Sequence, residues 1–116
     1  MKENIIKTKS YAFAFKIVKL FKVLQNQKEY ILSKQLVRSA TFVGANVEES
    51  IQAQSKPDFI HKFSIAQKEA FETHYWIRLL KDSEYINENI AHELLNDCEE
   101  FQRIITAILI KLKNKQ

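Results

Sequence analysis

The stretch that decides the fold is Ile90-Ala91-His92-Glu93-Leu94-Leu95-Asn96-Asp97-Cys98-Glu99-Glu100-Phe101-Gln102-Arg103-Ile104-Ile105-Thr106-Ala107-Ile108-Leu109-Ile110-Lys111-Leu112. Ile90 or Ala91, then Leu94, Cys98, Phe101, Ile105, Ile108 and Leu112, follow one another by steps of three and four. That spacing lays one apolar stripe along a helix, and its heptad form is the seam of helices packed at small crossing angles.

The same period runs back through the chain. Phe59, Phe63, Ala66, Ala70, Thr73, Ile77 and Leu80 make an inner stripe that ends near Asp82. Ser83-Glu84-Tyr85-Ile86-Asn87 links it to the last helix, with Asn87 placed to cap. Ser55-Lys56-Pro57-Asp58 opens it: serine or lysine caps, proline takes the first turn, and Asp58 complements the positive helix end. Earlier stripes are Leu32, Leu36, Ala40, Val43, Val47 and Ile51, and Phe13, Ile17, Leu20, Phe21 and Leu24, separated by Asn26-Gln27-Lys28-Glu29. The expected helices cover about residues 9–26, 30–54, 57–82 and 87–114 of one domain, 1–116. Short links between long helices force antiparallel neighbours, so the predicted fold is all-α, an antiparallel up-down-up-down four-helix bundle.

Composition agrees. A chain of 116 residues holds one core. One glycine and one proline are too few for turn-rich β architectures. The single cysteine, Cys98, forms no internal disulfide and suits a reducing compartment. No run is apolar enough to span a membrane, and Met1–Lys7 does not read as a signal peptide, so the expected location is the cytoplasm.

Two helices are apolar on both faces. Tyr11, Phe15 and Val18 point away from the inner stripe of the first helix, and Ile60, Phe71 and Tyr75 away from that of the third. A helix apolar on two faces is buried on two, which predicts a homo-oligomer with these residues at its interface. A polar line also flanks the core. Gln35, Ser39 and Asn46, with Arg38 and Glu49 further round, stand on the second helix; Lys62, Glu69 and Trp76, with Glu72 nearby, stand on the third. If the two helices are neighbours, Lys62 or Arg38 can pair with Glu69 or Glu72. This line reads as a buried network fixing register, with a ligand pocket as the alternative.

Chemistry is sparse. No glutamate is followed three positions later by histidine, so the Glu-x-x-His pairs of the di-metal carboxylate pattern of helical bundles are missing and no metal or cofactor is expected. Neither Arg38 nor Arg78 has the downstream histidine of small helical HEPN ribonucleases. Cys98 lies on the apolar seam as a buried thiol. No enzymatic activity is predicted. Charge is more informative. Residues 1–38 carry Lys2, Lys7, Lys9, Lys16, Lys19, Lys22, Lys28, Lys34 and Arg38 against Glu3 and Glu29, whereas every charge from Asp82 to Glu100 is negative and the tail, Lys111, Lys113 and Lys115, is basic again. Lys9, Lys16, Lys19, Lys22 and Arg38 are candidate phosphate contacts, with salt-sensitive, sequence-independent affinity for RNA or DNA. The acidic segment of one subunit could equally meet the basic segment of another.

Several runs carry a resemblance: Lys9-Ser10-Tyr11-Ala12-Phe13-Ala14, Leu32-Ser33-Lys34-Gln35-Leu36-Val37-Arg38-Ser39-Ala40, Gly44-Ala45-Asn46-Val47-Glu48-Glu49, Phe59-Ile60-His61-Lys62-Phe63 and Ala66-Gln67-Lys68-Glu69-Ala70-Phe71-Glu72-Thr73-His74-Tyr75-Trp76. Together they resemble the bacterial four-helix-bundle family of 23S ribosomal RNA intervening-sequence proteins, which includes the accessory variability protein of diversity-generating retroelements. The resemblance is dense over the first three helices and a matter of pattern in the fourth. It implies a homopentameric, barrel-like ring without catalytic activity, possible nucleic-acid binding and, in the retroelement branch, association with a reverse transcriptase. The matching positions Gln35, Arg38, Ser39, Gly44, Asn46, Lys62, Glu69, Glu72 and Trp76 coincide with the polar line. Phe42 departs from the family's pattern, which has a small polar residue there. The leading expectation is a non-catalytic oligomer that binds nucleic acid; the alternative is a protein-interaction scaffold or accessory subunit of a nucleic-acid enzyme.

Overall fold

A computed structural model describes residues 2–114; Met1, Lys115 and Gln116, which the expected domain and basic tail include, lie outside the described residues. It contains four helices, α1 (Lys2–Asn26), α2 (Leu32–Ile51), α3 (Lys56–Asp82) and α4 (Glu88–Asn114). No strand occurs among the described residues. α1 packs on α2, α2 on α3, α3 on α4 and α4 back on α1, with no close backbone approach across a diagonal among the described residues. The bundle measures 47 × 21 × 20 Å. Cross-helix partners run in opposite directions: Lys9 meets Glu100 while Lys16 meets Glu93, and Arg38 meets Glu72 while Glu49 meets Lys62.

The core is a single cluster built from the expected stripes. Phe13, Ile17 and Leu24 of α1, Leu36, Ala40, Val43 and Val47 of α2, Phe63, Ala66, Ala70, Ile77 and Leu80 of α3, and Ala91 to Leu109 at heptad spacing on α4 are buried. Phe13 meets Phe101 edge to face at 4.9 Å. Leu20, Leu32, Phe59 and Leu112 pack on the edge of this cluster.

Three differences from the expected pattern have clear causes. α1 starts at Lys2, about two turns before the expected start, because Ile6 and Ser10 carry the stripe back from Phe13 and are both buried. α2 is shorter at both ends, Leu32–Ile51, and Ser50 rather than Ile51 faces inward; its hydroxyl donates to the Val47 carbonyl at 2.6 Å, while Ile51 is exposed. Of the alternatives at the start of α4, Ala91 enters the core and Ile90 does not.

The helix ends are closed by side chains. Ser55 caps α3, accepting from the Asp58 N–H at 3.2 Å, and Asn87 caps α4, accepting from the Ile90 N–H at 2.8 Å. α1 and α3 end with Lys28 and Glu84 in the left-handed region, where the following N–H bonds back to Leu24 and Leu80 carbonyls at 2.9 Å. α2 has no cap from Ile31; the Glu29 carboxylate does the work, accepting the N–H groups of Ile31, Leu32 and Ser33 at 3.1, 3.0 and 2.7 Å. Glu29 is nearly buried, which by itself pushes its pKa up, but these donors outweigh burial and hold it below the ordinary 4.5.

Two predictions follow from this packing. Glu29→Ala should lower stability by about 1–2 kcal/mol in urea titrations near pH 7. A lowered folded pKa stabilises above the unfolded value and ceases to do so below the folded one, so the gap between parent and variant should close as pH falls below 4.5. Gly44 faces the Ser10 carbonyl across the α1–α2 seam, and a Cβ there would sit 3.6 Å from that oxygen, an ordinary contact. Gly44→Ala should therefore raise stability by about 0.5–1 kcal/mol through helix propensity, measured in the same titrations.

Candidate functional site

α2 and α3 share the broadest seam of the bundle, and its outer edge gathers the polar residues. Helical spacing places Arg38 of α2 opposite Glu69, Glu72 and Trp76, which lie three and four residues apart on α3. The Arg38 guanidinium donates to Glu72 Oε1 and lies 3.8 Å from Glu69 Oε1. Trp76 donates its indole N–H to the same Glu72 oxygen at 3.3 Å. Beneath them Thr73 Oγ1 lies 2.9 Å from Ser39 Oγ and 2.8 Å from the Glu69 carbonyl, and the Ser39 hydroxyl is 3.2 Å from the Leu36 carbonyl.

Glu69 is the anomaly. It is only 7% exposed, and Oε1 is buried without a hydrogen-bond partner among the described residues. The Arg38 separation is an ion pair, too long for a hydrogen bond. Burial first, then the Glu72 charge, push the Glu69 pKa up, against Arg38 and Lys68, which pull it down.

Other members of the expected network stand apart. Lys62 pairs with Glu49 at 2.8 Å, not with Glu69 or Glu72. Asn46 bonds back to the Phe42 carbonyl of its own helix at 2.8 Å. Gln35 is exposed on α2 and makes no side-chain bond to α3 among the described residues. The Phe42 ring projects outward at 5.4 Å from the Arg38 guanidinium, so the departure from the family's pattern leaves the packing beside Asn46 intact.

The candidate phosphate contacts divide. Lys9 bonds Glu100 at 3.2 Å, and Lys16 bonds Glu93 and Asp97 at 2.8 and 2.7 Å, so the acidic run of α4 neutralises one edge of α1 within the chain. Its carboxylates raise the Lys16 pKa. Arg38 is engaged on α3. Lys19 and Lys22 are exposed and form no ion pair among the described residues; Lys19 sits 4.8 Å over the Phe15 ring. Of the expected interface residues, Tyr11, Phe15, Phe71 and Tyr75 are exposed, Val18 is half-buried, and Ile60 packs against the chain's own core.

One arrangement was not anticipated from sequence. His74 Nδ1 accepts from Arg78 Nε at 3.0 Å, so the ring N–H is on Nε2, 2.9 Å from Glu99. The i, i+4 spacing of His74 and Arg78 was the available signal. Both ring nitrogens are thus engaged by side chains of the same protomer. Burial, and behind it Glu99 and Asp97, push the Cys98 thiol up to about 12, so it carries no thiolate near neutrality. No group of three or more His, Cys, Asp or Glu able to hold a metal occurs among the described residues, and no helix is long and apolar enough to cross a membrane.

The fold and its seams define a small all-helical bundle whose polar groups mostly tie helix to helix. The chain belongs to the 23S rRNA-intervening sequence protein family, whose pattern matches residues 2–107. It is similar to a solved structure from Bacteroides thetaiotaomicron described as a protein with unknown function from the S23 ribosomal protein family. The two share 46% identity with a TM-score of 0.91, over 94% of this chain and 98% of that one. No curated protein matches.

The geometry makes the two carboxylates unequal. Arg38→Met should destabilise by about 1–3 kcal/mol, because it removes the one cation paired with both and leaves Glu72 only the Trp76 N–H. Glu69→Gln should be neutral or stabilising near pH 7. A raised folded pKa favours folding with a proton bound, so that advantage should shrink as pH falls through the Glu69 range in urea titrations.

Proposed function

We propose that this chain is a non-catalytic antiparallel bundle that assembles as a ring-like homo-oligomer and serves as an interaction scaffold. The observation that carries the reading is the exposure of Tyr11 and Phe15 on α1 and of Phe71 and Tyr75 on α3, at 70, 56, 60 and 48%. Paired aromatics on two separate helices form patches of the kind that contact partners. The opposite running of the cross-helix pairs supports the antiparallel topology. The family resemblance supports five copies. Light scattering behind a sizing column should give a multiple of 13.7 kDa, and a monomer at micromolar concentration would overturn the reading.

A second reading is nucleic-acid binding by the assembled ring. Lys19 and Lys22 favour it: they stand outside the α1–α4 ion pairs on a chain of net charge +4, and a ring would repeat them around its surface. Absorbance ratios of the same column peak report co-purifying nucleic acid. Fluorescence anisotropy with labelled single-stranded RNA should then reveal binding that weakens steeply with salt. The reading fails if Lys19→Glu/Lys22→Glu binds as tightly as the parent.

A further inference from the structure

With Glu69 ionised, the Arg38–Glu69–Glu72–Trp76 cluster is short of one cation. Two carboxylates face one guanidinium, and that guanidinium is held by Glu72. Both donors that reach Glu72, Arg38 and Trp76, meet Oε1. No side chain among the described residues donates to Oε2, on a group that is partly open to solvent. Glu69 beside it is nine-tenths buried, with Oε1 lacking any donor. Buried carboxylates are rarely left so, because an unmet acceptor of this kind carries its full desolvation penalty. The rim is aromatic: Tyr75 stands edge to face with Trp76 at 4.9 Å, and Phe42 flanks Arg38. An edge that turns net negative when Glu69 ionises, with aromatic side chains beside it, suits an ammonium group.

The chain itself carries a matching surface. On the outer side of α1, Lys19 sits over the exposed Phe15 ring, Lys22 and the exposed Tyr11 share that helix face further along, and both lysines are free of ion pairs among the described residues. Lys9 and Lys16, on the other edge, are already held by α4. Charge and aromatic surface thus match between the outside of α1 and the α2–α3 edge. These are different faces of one protomer, so joining them between copies is a head-to-tail contact, which closes into a ring if the rotation allows.

We propose that the α2–α3 cluster is a half-site completed by α1 of a second copy, whose Lys22, with Lys19 beside it, binds Glu72 and releases Arg38 to hydrogen-bond Glu69. This rests on the self-assembly reading above and names the contact that builds it. Arg38 needs to move by only about 1 Å to bring its 3.8 Å separation from Glu69 Oε1 into hydrogen-bond range. The step ties assembly to a proton. Arg38 from α2, and Glu72 and Lys68 from α3, are the charges that act on Glu69. An Arg38 bonded to Glu69 favours the ionised carboxylate, so contact formation releases the proton that burial and Glu72 help retain, and assembly tightens as pH rises.

The test uses the full chain, with mass by light scattering over a dilution series and helicity and melting by circular dichroism. Lys19→Glu/Lys22→Glu lies on an exposed face, and it should keep the parent's helicity and raise the midpoint concentration for dissociation on the order of a hundredfold. The parent's midpoint should fall as pH rises through the Glu69 range, and Glu69→Gln, which cannot ionise, should remove that dependence while folding normally. A parent that never assembles overturns both readings. A parent that assembles, with a lysine variant that assembles equally well, overturns the half-site alone. A variant that keeps its mass but loses binding to single-stranded RNA assigns the lysines to nucleic acid, and the half-site is then wrong.

Discussion

Closure of α4 onto α1 is the constraint on which the bundle depends. Each helix buries mainly one stripe, so an open row of four would leave the inner faces of α1 and α4 wet along their length. Yet the α1–α4 seam is the thinnest of the four. Its apolar contact centres on Phe13 against Phe101, and its rim is Lys9–Glu100 and Lys16 between Glu93 and Asp97. Exposed ion pairs contribute about 0–1 kcal/mol each, so burial closes the seam and the charges set its register.

That closure changes the meaning of the charge pattern. In sequence the chain is basic at one end and acidic from Asp82 to Glu100, which suggests separate patches. In the fold the basic helix lies against the acidic one, and opposite charges meet within a single copy. A basic run in a four-helix chain can therefore be an internal edge. The surface that remains for a partner is narrower and includes Lys19, Lys22 and the rings beside them.

The same reasoning explains how far the sequence could be read. The α4 seam was legible because its inner positions are large and apolar, apart from Ala91 and Cys98. The start of α1 was obscured by Ser10, and the inner face of α2 near its end by Ser50. A serine that bonds its own helix, to Lys7 in one case and Val47 in the other, enters a core without leaving an orphaned hydroxyl, so hydropathy misplaces it. Glu29 reads as part of the break between two helices for a related reason. Its burial is compensated by three backbone donors that no pattern of side chains displays. The polar line was half legible. The facing of Arg38 and Glu72 follows from neighbouring helices with matched spacing, whereas the partner of Lys62 depends on register, and the opposite run of α2 and α3 brings Glu49 to it.

The polar groups of this seam are unevenly satisfied. Ser39 and Thr73 answer each other and the backbone within it. Glu72 receives two donors on one oxygen, while Glu69, the more deeply buried carboxylate, receives none. Were fixing α2 against α3 the sole task, a glutamine or an apolar side chain at position 69 would do it without desolvating a charge, since buried ion pairs are often matched or bettered by apolar replacements. A carboxylate held there, beside a guanidinium that could serve either glutamate, is instead the arrangement expected where a third charge arrives from outside. Under the proposed half-site, the stability given up at Glu69 in the single chain would be regained on assembly.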